Sequence, residues 1–178
     1  MTFPEAVALM IGVGILMLGL MWLGWRGRQR RSAPLVGALP TAPENLGDQL
    51  VANVPGIYVS STTHGDWLDR VAAQDLGYRS TAIARVFEHG VLIERAGARD
   101  VYIPVDQLIN VSLTNGIAGK VLGTDAIVLI EWHVGAKYAD EETLLDTGFK
   151  PDSKHDRALL VDAISKIIPS TPQVKESK

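Results

Sequence analysis

The apolar positions of this chain follow three patterns, which divide it into three parts. Residues 4–25 form an almost unbroken apolar run in which Glu5 is the only charged residue. From residue 57 to residue 149, short runs alternate apolar and polar positions, as half-buried β-strands do. Residues 153–168 place apolar side chains at helical spacing. The pattern predicts a hydrophobic helix, a mainly β domain and a final amphipathic helix.

The apolar run over residues 4–25 is predicted to be a transmembrane helix. At about 1.5 Å per residue it is roughly 33 Å long, which is enough to cross a hydrocarbon core of about 30 Å. Trp22 and Trp25 lie near its end, where aromatic rings favour the lipid headgroup region. A cleaved signal peptide is the rival interpretation, but its basic residues would come before the apolar core.

The arginines beside this run set the expected orientation. Four of them follow it within residues 26–31, and no basic residue precedes it: they are Arg26, Arg28, Arg30 and Arg31. Basic residues that flank a span stay on the cytoplasmic side. We therefore expect a single-pass protein of the plasma membrane, with its N-terminus outside and its C-terminal domain in the cytoplasm.

A linker is predicted between the helix and the domain. Residues 32–53 contain Pro34, Pro40 and Pro43 among small and polar residues, and show neither helical nor strand periodicity. Such composition is typical of a flexible spacer. The domain is then expected over residues 54–169, followed by a polar tail at 170–178.

Seven strands are predicted in the domain, with a helical turn over residues 66–73 capped by Asp66. The strongest turn signal is Thr114-Asn115-Gly116. The predicted strands cover residues 57–63, 79–87, 91–95, 100–104, 107–113, 126–134 and 142–149.

The last predicted element is a helix that begins at Ser153 and ends at Pro169. Ser153 and Asp156 resemble a capping box. Its apolar stripe consists of Leu160, Val161, Ile164, Ile167 and Ile168. Seven short strands and one amphipathic helix predict a seven-stranded split barrel of two nearly orthogonal sheets, with the helix closing an open end.

This order of elements resembles a pleckstrin-homology (PH) domain. With the apolar helix, the arginines and the segments LTNGIAGK (113–120) and LDTGF (145–149), the chain is similar to actinobacterial single-pass membrane proteins that carry a bacterial PH-like domain. Some of these are labelled transporters or export proteins. The resemblance implies a PH-like fold and a membrane anchor, and it implies no catalytic residue.

The amino-acid composition excludes several kinds of site and partner. The chain has no cysteine, which excludes disulfides and thiolate metal sites. From residue 44 onwards, 13 Lys and Arg oppose 19 Asp and Glu, so an acidic domain is a poor partner for nucleic acids. Phosphoinositide-binding PH domains carry basic residues in the first β–β loop; here residues 64–80 balance Arg70 and Arg79 against three aspartates, so we expect no headgroup binding.

No motif in the chain predicts a catalytic, cofactor or metal site. Gly116–Lys120 lacks the first glycine and the Ser or Thr of a phosphate-binding loop, and is interpreted as a strand connection. His64, Asp66 and Asp69 could ligate a metal in principle, but Asp66 is better explained as a helix cap. The four histidines are scattered and form no acid–base arrangement.

One charge run remains as a candidate docking patch for a basic partner, formed by Asp140, Glu141 and Glu142. Its simpler interpretation is a solvated hairpin tip. The leading functional hypothesis is a membrane-anchored, non-enzymatic interaction module for a membrane or membrane-proximal protein. The alternatives are an accessory subunit of a transport or export complex, and an enzyme with an unrecognised site.

Overall fold

The computed structural model of the protein describes residues 3–36, 38–134 and 143–169. Its two α-helices are α1 (Phe3–Val36) and α2 (Lys154–Ile167), and short 3-10 helices cover Ala73–Asp75 and Val105–Gln107. The strands of the described residues are β1 (Gln49–Thr63), β2 (Ser80–Phe87), β3 (Gly90–Arg95), β4 (Val101–Pro104), β5 (Leu108–Thr114), β6 (Gly116–Ile117), β7 (Lys120–Val121), β8 (Ile127–Val134) and β9 (Thr143–Pro151).

Seven of these strands form one antiparallel sheet in the order β4-β3-β2-β1-β9-β8-β5, and β6 and β7 form a separate two-stranded hairpin. The predicted fold class is confirmed in part: the domain is mainly β, with a seven-stranded sheet and a C-terminal helix. Each of the seven predicted strands corresponds to one strand of the sheet. The hairpin β6–β7 was not predicted, because its strands are only two residues long.

The long strand β1 joins the two halves of the sheet. Its residues 49–58 pair with β2, whereas residues 56–63 pair with β9. The change of partner occurs around Gly56, where a Cβ atom would lie 2.4 Å from the carbonyl oxygen of Lys150. Only glycine permits this close approach of two backbones. The two sheets predicted from the sequence are therefore one continuous sheet that changes direction along β1.

Helix α2 begins and packs as predicted. Ser153 Oγ accepts a hydrogen bond from the backbone N–H of Asp156 at 3.0 Å and donates to its carboxylate at 2.7 Å. Leu160, Ala163 and Ile164 are buried in the main core, against strands from both halves of the sheet. The apolar stripe of the predicted helix is thus confirmed as its packing face.

The N-terminal helix differs from the prediction in its length. Helix α1 continues through the arginine flank to Val36, because Arg and Gln are good helix formers. Among the described residues, no helix is both long enough and apolar enough to cross a membrane, so the predicted transmembrane helix over residues 4–25 is not supported.

The predicted flexible linker over residues 32–53 is corrected as well. Its first residues belong to α1, and its last residues are the start of β1. Between them, the chain is fixed to the β2–β3 turn: the N–H of Glu88 donates to Asp48 O, and the N–H of His89 donates to Leu46 O, both at 3.1 Å. Leu39 packs against the main core. The domain therefore begins before residue 54.

The predicted helical turn over residues 66–73 is wrong. Asp66 Oδ1 accepts hydrogen bonds from the N–H groups of Leu68 and Asp69, but no helix follows. The backbone N–H of Val71 instead donates to Ser61 O at 3.0 Å. This bond holds the segment against β1, which is incompatible with a helix. The 3-10 helix over Ala73–Asp75 follows and lies against α1.

Candidate interaction surface

The strand β5 forms one edge of the seven-stranded sheet. Within the described parts of the chain, this seven-residue strand pairs with β8 on one side only. Three of its residues are exposed. Two are apolar, Ile109 at 38% and Leu113 at 42% exposure, and the third is Asn110. An unpaired edge of this length presents N–H and C=O groups that another strand can bind. β5 is therefore a candidate surface for strand addition.

The opposite edge, β4, is much less suited to this role. It has four residues, of which Val101, Tyr102 and Ile103 are buried. It ends at Pro104, which has no N–H to donate to an added strand. Natural sheets use short edges and proline in this way to prevent edge-to-edge pairing. The two edges of the sheet thus differ in accessibility, and β5 is the open one.

The core-facing side of β5 lies beside helix α2. Val111 pairs with Ile130 and Leu113 pairs with Val128, and both partners are buried in the main core. Helix α2 contacts β5 along this side. An apolar side chain on an added strand would therefore meet Leu113 at the border between β5 and α2.

On the opposite face of the sheet, β5 contributes to a row of polar residues that crosses four strands. Asn110 pairs with Glu131, Glu131 pairs with Asp146, and Asp146 pairs with Thr62. Paired residues of neighbouring strands lie on the same face of a sheet. The amide Nδ2 of Asn110 donates to Glu131 Oε1 at 3.1 Å, which confirms the shared face. We call these four residues the acidic row.

His64 closes the inner end of the acidic row. Its Nδ1 lies 2.8 Å from Asp146 Oδ1, and its backbone N–H donates to Leu144 O. The hydrogen bond with Asp146 is the main reason why the pKa of His64 is raised; partial desolvation opposes the shift, and the charges of Asp146 and Glu131 add to it. Thr62 is fully buried, and its Oγ1 has no hydrogen-bond partner among the described residues.

The sequence did not indicate the acidic row. Asn110, Glu131 and Asp146 belong to three separate strands, and only the pairing register brings them together. Glu131 and Asp146 interrupt apolar runs within their strands, which is the one signal that could have selected them. The sequence predicted no metal site at His64, Asp66 and Asp69. In the structure His64 binds Asp146, and Asp69 Oδ2 accepts from Thr63 Oγ1.

No group of described His, Asp or Glu side chains has the arrangement of a metal site. Gly116–Lys120 forms the β6–β7 hairpin, whose Ala118 and Gly119 have positive φ angles of 55° and 73°. Its Ile117 is buried in a small second core with Val59 and Ile127. This segment is therefore a structural flap on the sheet, consistent with its interpretation as a strand connection.

Helix α1 exposes apolar side chains on all sides. Thirteen large apolar residues between Val7 and Leu23 are exposed, at 42% to 74%. The Arg26 guanidinium lies 5.3 Å from the centroid of the Trp22 ring at the end of this stretch. The side chains of Trp25, Arg28, Arg30 and Arg31 lie outside the described part of the chain, although their backbone belongs to α1.

The predicted docking patch Asp140, Glu141 and Glu142 also lies outside the described residues. The strands that lead to it are β8 and β9, which carry Glu131 and Asp146 of the acidic row.

A family model described as "Bacterial PH domain-like" matches residues 36–165 of the chain. Eight chains of solved structures match this chain. One belongs to a structure titled "The 8S snRNP Assembly Intermediate"; it is 13% identical, with 79% of this chain and 96% of that chain covered and a TM-score of 0.46. The comparison with curated proteins found no match.

Proposed function

The chain belongs to the bacterial PH domain-like family, and on that premise we propose that it is a non-enzymatic interaction module that binds an extended segment of a partner protein along β5. The observation that carries this proposal is the open edge of β5 beside α2. Added strands bind through main-chain hydrogen bonds, and pockets for alternate side chains give specificity.

The contrast between the two sheet edges supports the choice of β5. β4 is short, buried and ends at Pro104, as protected edges do, whereas β5 has seven residues and two exposed apolar side chains. Ile109 and Leu113 offer apolar contact to a bound segment. Its main chain would extend the sheet next to α2.

The test is a display library of random seven-residue peptides, selected on the full-length protein in detergent micelles. Selected peptides are synthesised and their affinity is measured by fluorescence anisotropy. Binding through the main chain requires that N-methylation at alternate peptide positions abolishes affinity, while N-methylation at the intervening positions has little effect. Equal sensitivity at all positions, or no selected peptide, would reject strand addition.

We also propose that α1 holds the module at a lipid bilayer. The support is the set of exposed apolar side chains between Val7 and Leu23, since a helix that is apolar all round is normally covered by protein or lipid. Trp22 and Arg26 at its end suit the headgroup region. Attachment raises the local concentration of the module near membrane proteins.

Vesicle flotation tests this attachment. The full chain should float with neutral phosphatidylcholine vesicles, because apolar contact needs no anionic lipid. A variant with Leu16→Asp and Leu20→Asp, two residues exposed by 62% and 60%, should stay in the bottom fraction of the gradient. Flotation only with anionic vesicles would assign the attachment to the arginines instead.

The position of the domain on the cytoplasmic side is part of the same proposal. It rests on the order of the chain, in which arginines follow the apolar residues. A role as accessory subunit of a transport or export complex is compatible with an attached module. It would be favoured if the partner that binds β5 belonged to such a complex.

A further inference from the structure

We infer that the segment bound along β5 carries a basic side chain, Lys or Arg, opposite Asn110, and that Glu131 recognises its charge. This inference rests on the proposed function, because it requires a strand added to β5. It goes further in naming the residue type that the partner presents and the groups that select it.

The orientation of Asn110 provides the first argument. Its Nδ2 donates to the Glu131 carboxylate at 3.1 Å, and an ionised carboxylate can only accept hydrogen bonds. The amide nitrogen is therefore turned towards Glu131, which leaves Oδ1 on the other arm of the amide as an acceptor. A side chain on an added strand that meets Asn110 thus finds a hydrogen-bond acceptor and requires a donor.

The charges of the acidic row provide the second argument. Glu131 lies directly opposite Asp146 in the β8–β9 pair, and like charges at such positions destabilise a sheet. His64 binds Asp146 and not Glu131. Among the described residues, Glu131 forms no ion pair. A positive charge brought by a partner would therefore compensate an excess of negative charge.

Thr62 lies at the inner end of the row, two strands beyond Glu131 and out of reach of a strand added to β5. Its side chain lies on the same face as Asp146, because the two residues pair across β1 and β9. Thr62 is 0% exposed, and its Oγ1 has no hydrogen-bond partner among the described residues. Buried polar groups are normally hydrogen-bonded.

Strand spacing decides which carboxylate a partner can reach. Neighbouring strands lie about 4.8 Å apart, so an added strand would be about 10 Å from β8 and one spacing further from β9. A long Lys or Arg side chain spans the gap above Asn110 and meets the carboxylate of Glu131. The carboxylate of Asp146 is too distant for contact and acts on the basic side chain only by long-range electrostatic attraction. Short donors such as Ser do not reach Glu131, which predicts selection for length as well as charge.

A second copy of this chain is disfavoured as the occupant. Antiparallel pairing of two β5 strands would place two acidic rows on one face of a joined sheet, with both copies of Glu131 close to the junction. This arrangement adds negative charge where the row already has an excess. A basic segment of another protein removes that excess.

The experiment scans one position at a time in synthetic versions of the peptides selected as described above. Each position receives Lys, Arg, Ser or Glu, and affinity is measured by anisotropy at low salt and at high salt. We expect one position to prefer Lys or Arg over Ser by about two- to fivefold, the range of exposed ion pairs, and the preference to shrink with salt. Glu131→Gln should remove the preference, and Glu131→Lys should reverse it in favour of Glu.

The matched control is Glu94→Gln, the same chemical change on β3 in the other half of the sheet. It should leave the preference intact. If peptides bind β5 but show no basic preference, or one that Glu131→Gln leaves unchanged, the inference is wrong while strand addition stands. If no peptide binds, the proposed function fails first. If light scattering shows a dimer that high salt strengthens, the second copy is the occupant and the inference is also wrong.

Discussion

The guanidinium of Arg95 lies 3.9 Å from the centroid of the Tyr58 ring inside the domain, and it forms no ion pair with a carboxylate of the described residues. Arg95 is 6% exposed. It donates to the carbonyl oxygens of Asp75, Tyr78 and Arg99. Burial lowers the pKa of Arg95 and raises that of Tyr58 to about 12. This pair fastens the long β1–β2 connection to the sheet.

Replacing Arg95 by Met should therefore loosen that connection. Arg95→Met keeps an apolar stem but removes the hydrogen bonds to three backbone carbonyl groups, of which Asp75 O still accepts from the N–H of Tyr78. A hydrogen bond to a charged group contributes about 1.5–3 kcal/mol. We expect a loss of about 2–4 kcal/mol in urea unfolding, since some groups will find water. Arg99→Met, at an exposed residue that binds Gln74, should change stability by no more than about 0.5 kcal/mol. Equal free energies of unfolding for the two variants would contradict the role of Arg95.

The helix α2 should be essential for stability. Ile164 is 0% exposed, and Ile164→Asp loses about 1.5–3 kcal/mol of burial and places a charge in an apolar site. Against a typical total of about 5–15 kcal/mol, the domain should be largely unfolded. Asp162→Asn removes only an exposed ion pair with Lys166 and should change stability by no more than about 0.5 kcal/mol. Thermal melts of both variants beside the parent decide this.

The acidic tip gives a related prediction from the sequence alone. Asp140→Asn and Glu141→Gln should change the free energy of unfolding by no more than about 0.5 kcal/mol if the tip is solvated. A large loss of stability would make these residues structural, and neither a solvated tip nor a docking patch would then describe them.

The pair of His64 and Asp146 predicts a pH dependence of stability. The raised pKa of His64 means that its protonated form is favoured in the folded state. Its contribution is fully present below the unfolded pKa of about 6.5 and is lost as the pH rises through the higher folded pKa. The parent should therefore lose stability relative to His64→Gln as the pH rises from about 6.5 through the higher folded pKa. Parallel urea curves for the two proteins across this range would refute the coupling.

The location of the domain gives a further prediction. A reporter that works only in the cytosol, fused after Lys178, should be active, because the arginines follow the apolar residues. A reporter that works only outside the cell should be inactive at the same position. The opposite pair of results would overturn the proposed location.

Regular local patterns explain what the sequence could predict. Alternation marks Ile127–Val134 almost to the residue, and the Ser153 cap marks the start of α2. The sequence does not predict the start of β1, because the alternation of apolar and polar residues is broken there. It is interrupted by Pro55, by Gly56 and by an irregular register near Asn53, where φ is 38°. A prediction from local pattern therefore starts β1 too late, at residue 57, and interprets its first residues as part of a linker.

The candidate site could not be predicted in the same way. The open edge of β5 is a property of strand order, and the acidic row is a property of register, so neither is written in a local pattern. The sequence suggested an interaction module, but it could not say which strand of the sheet was open. It also directed attention to charges near turns, whereas Glu131 and Asp146 lie within strands.

Hydrogen exchange of the full chain with and without a selected peptide tests the central claim most directly. Exchange is measured for the backbone amides of β5 (Leu108–Thr114) and of the buried edge β4 (Val101–Pro104) as the internal control. Strand addition predicts that the peptide protects amides of β5, at alternate residues, and leaves β4 unchanged. Protection elsewhere with none in β5 would contradict the account.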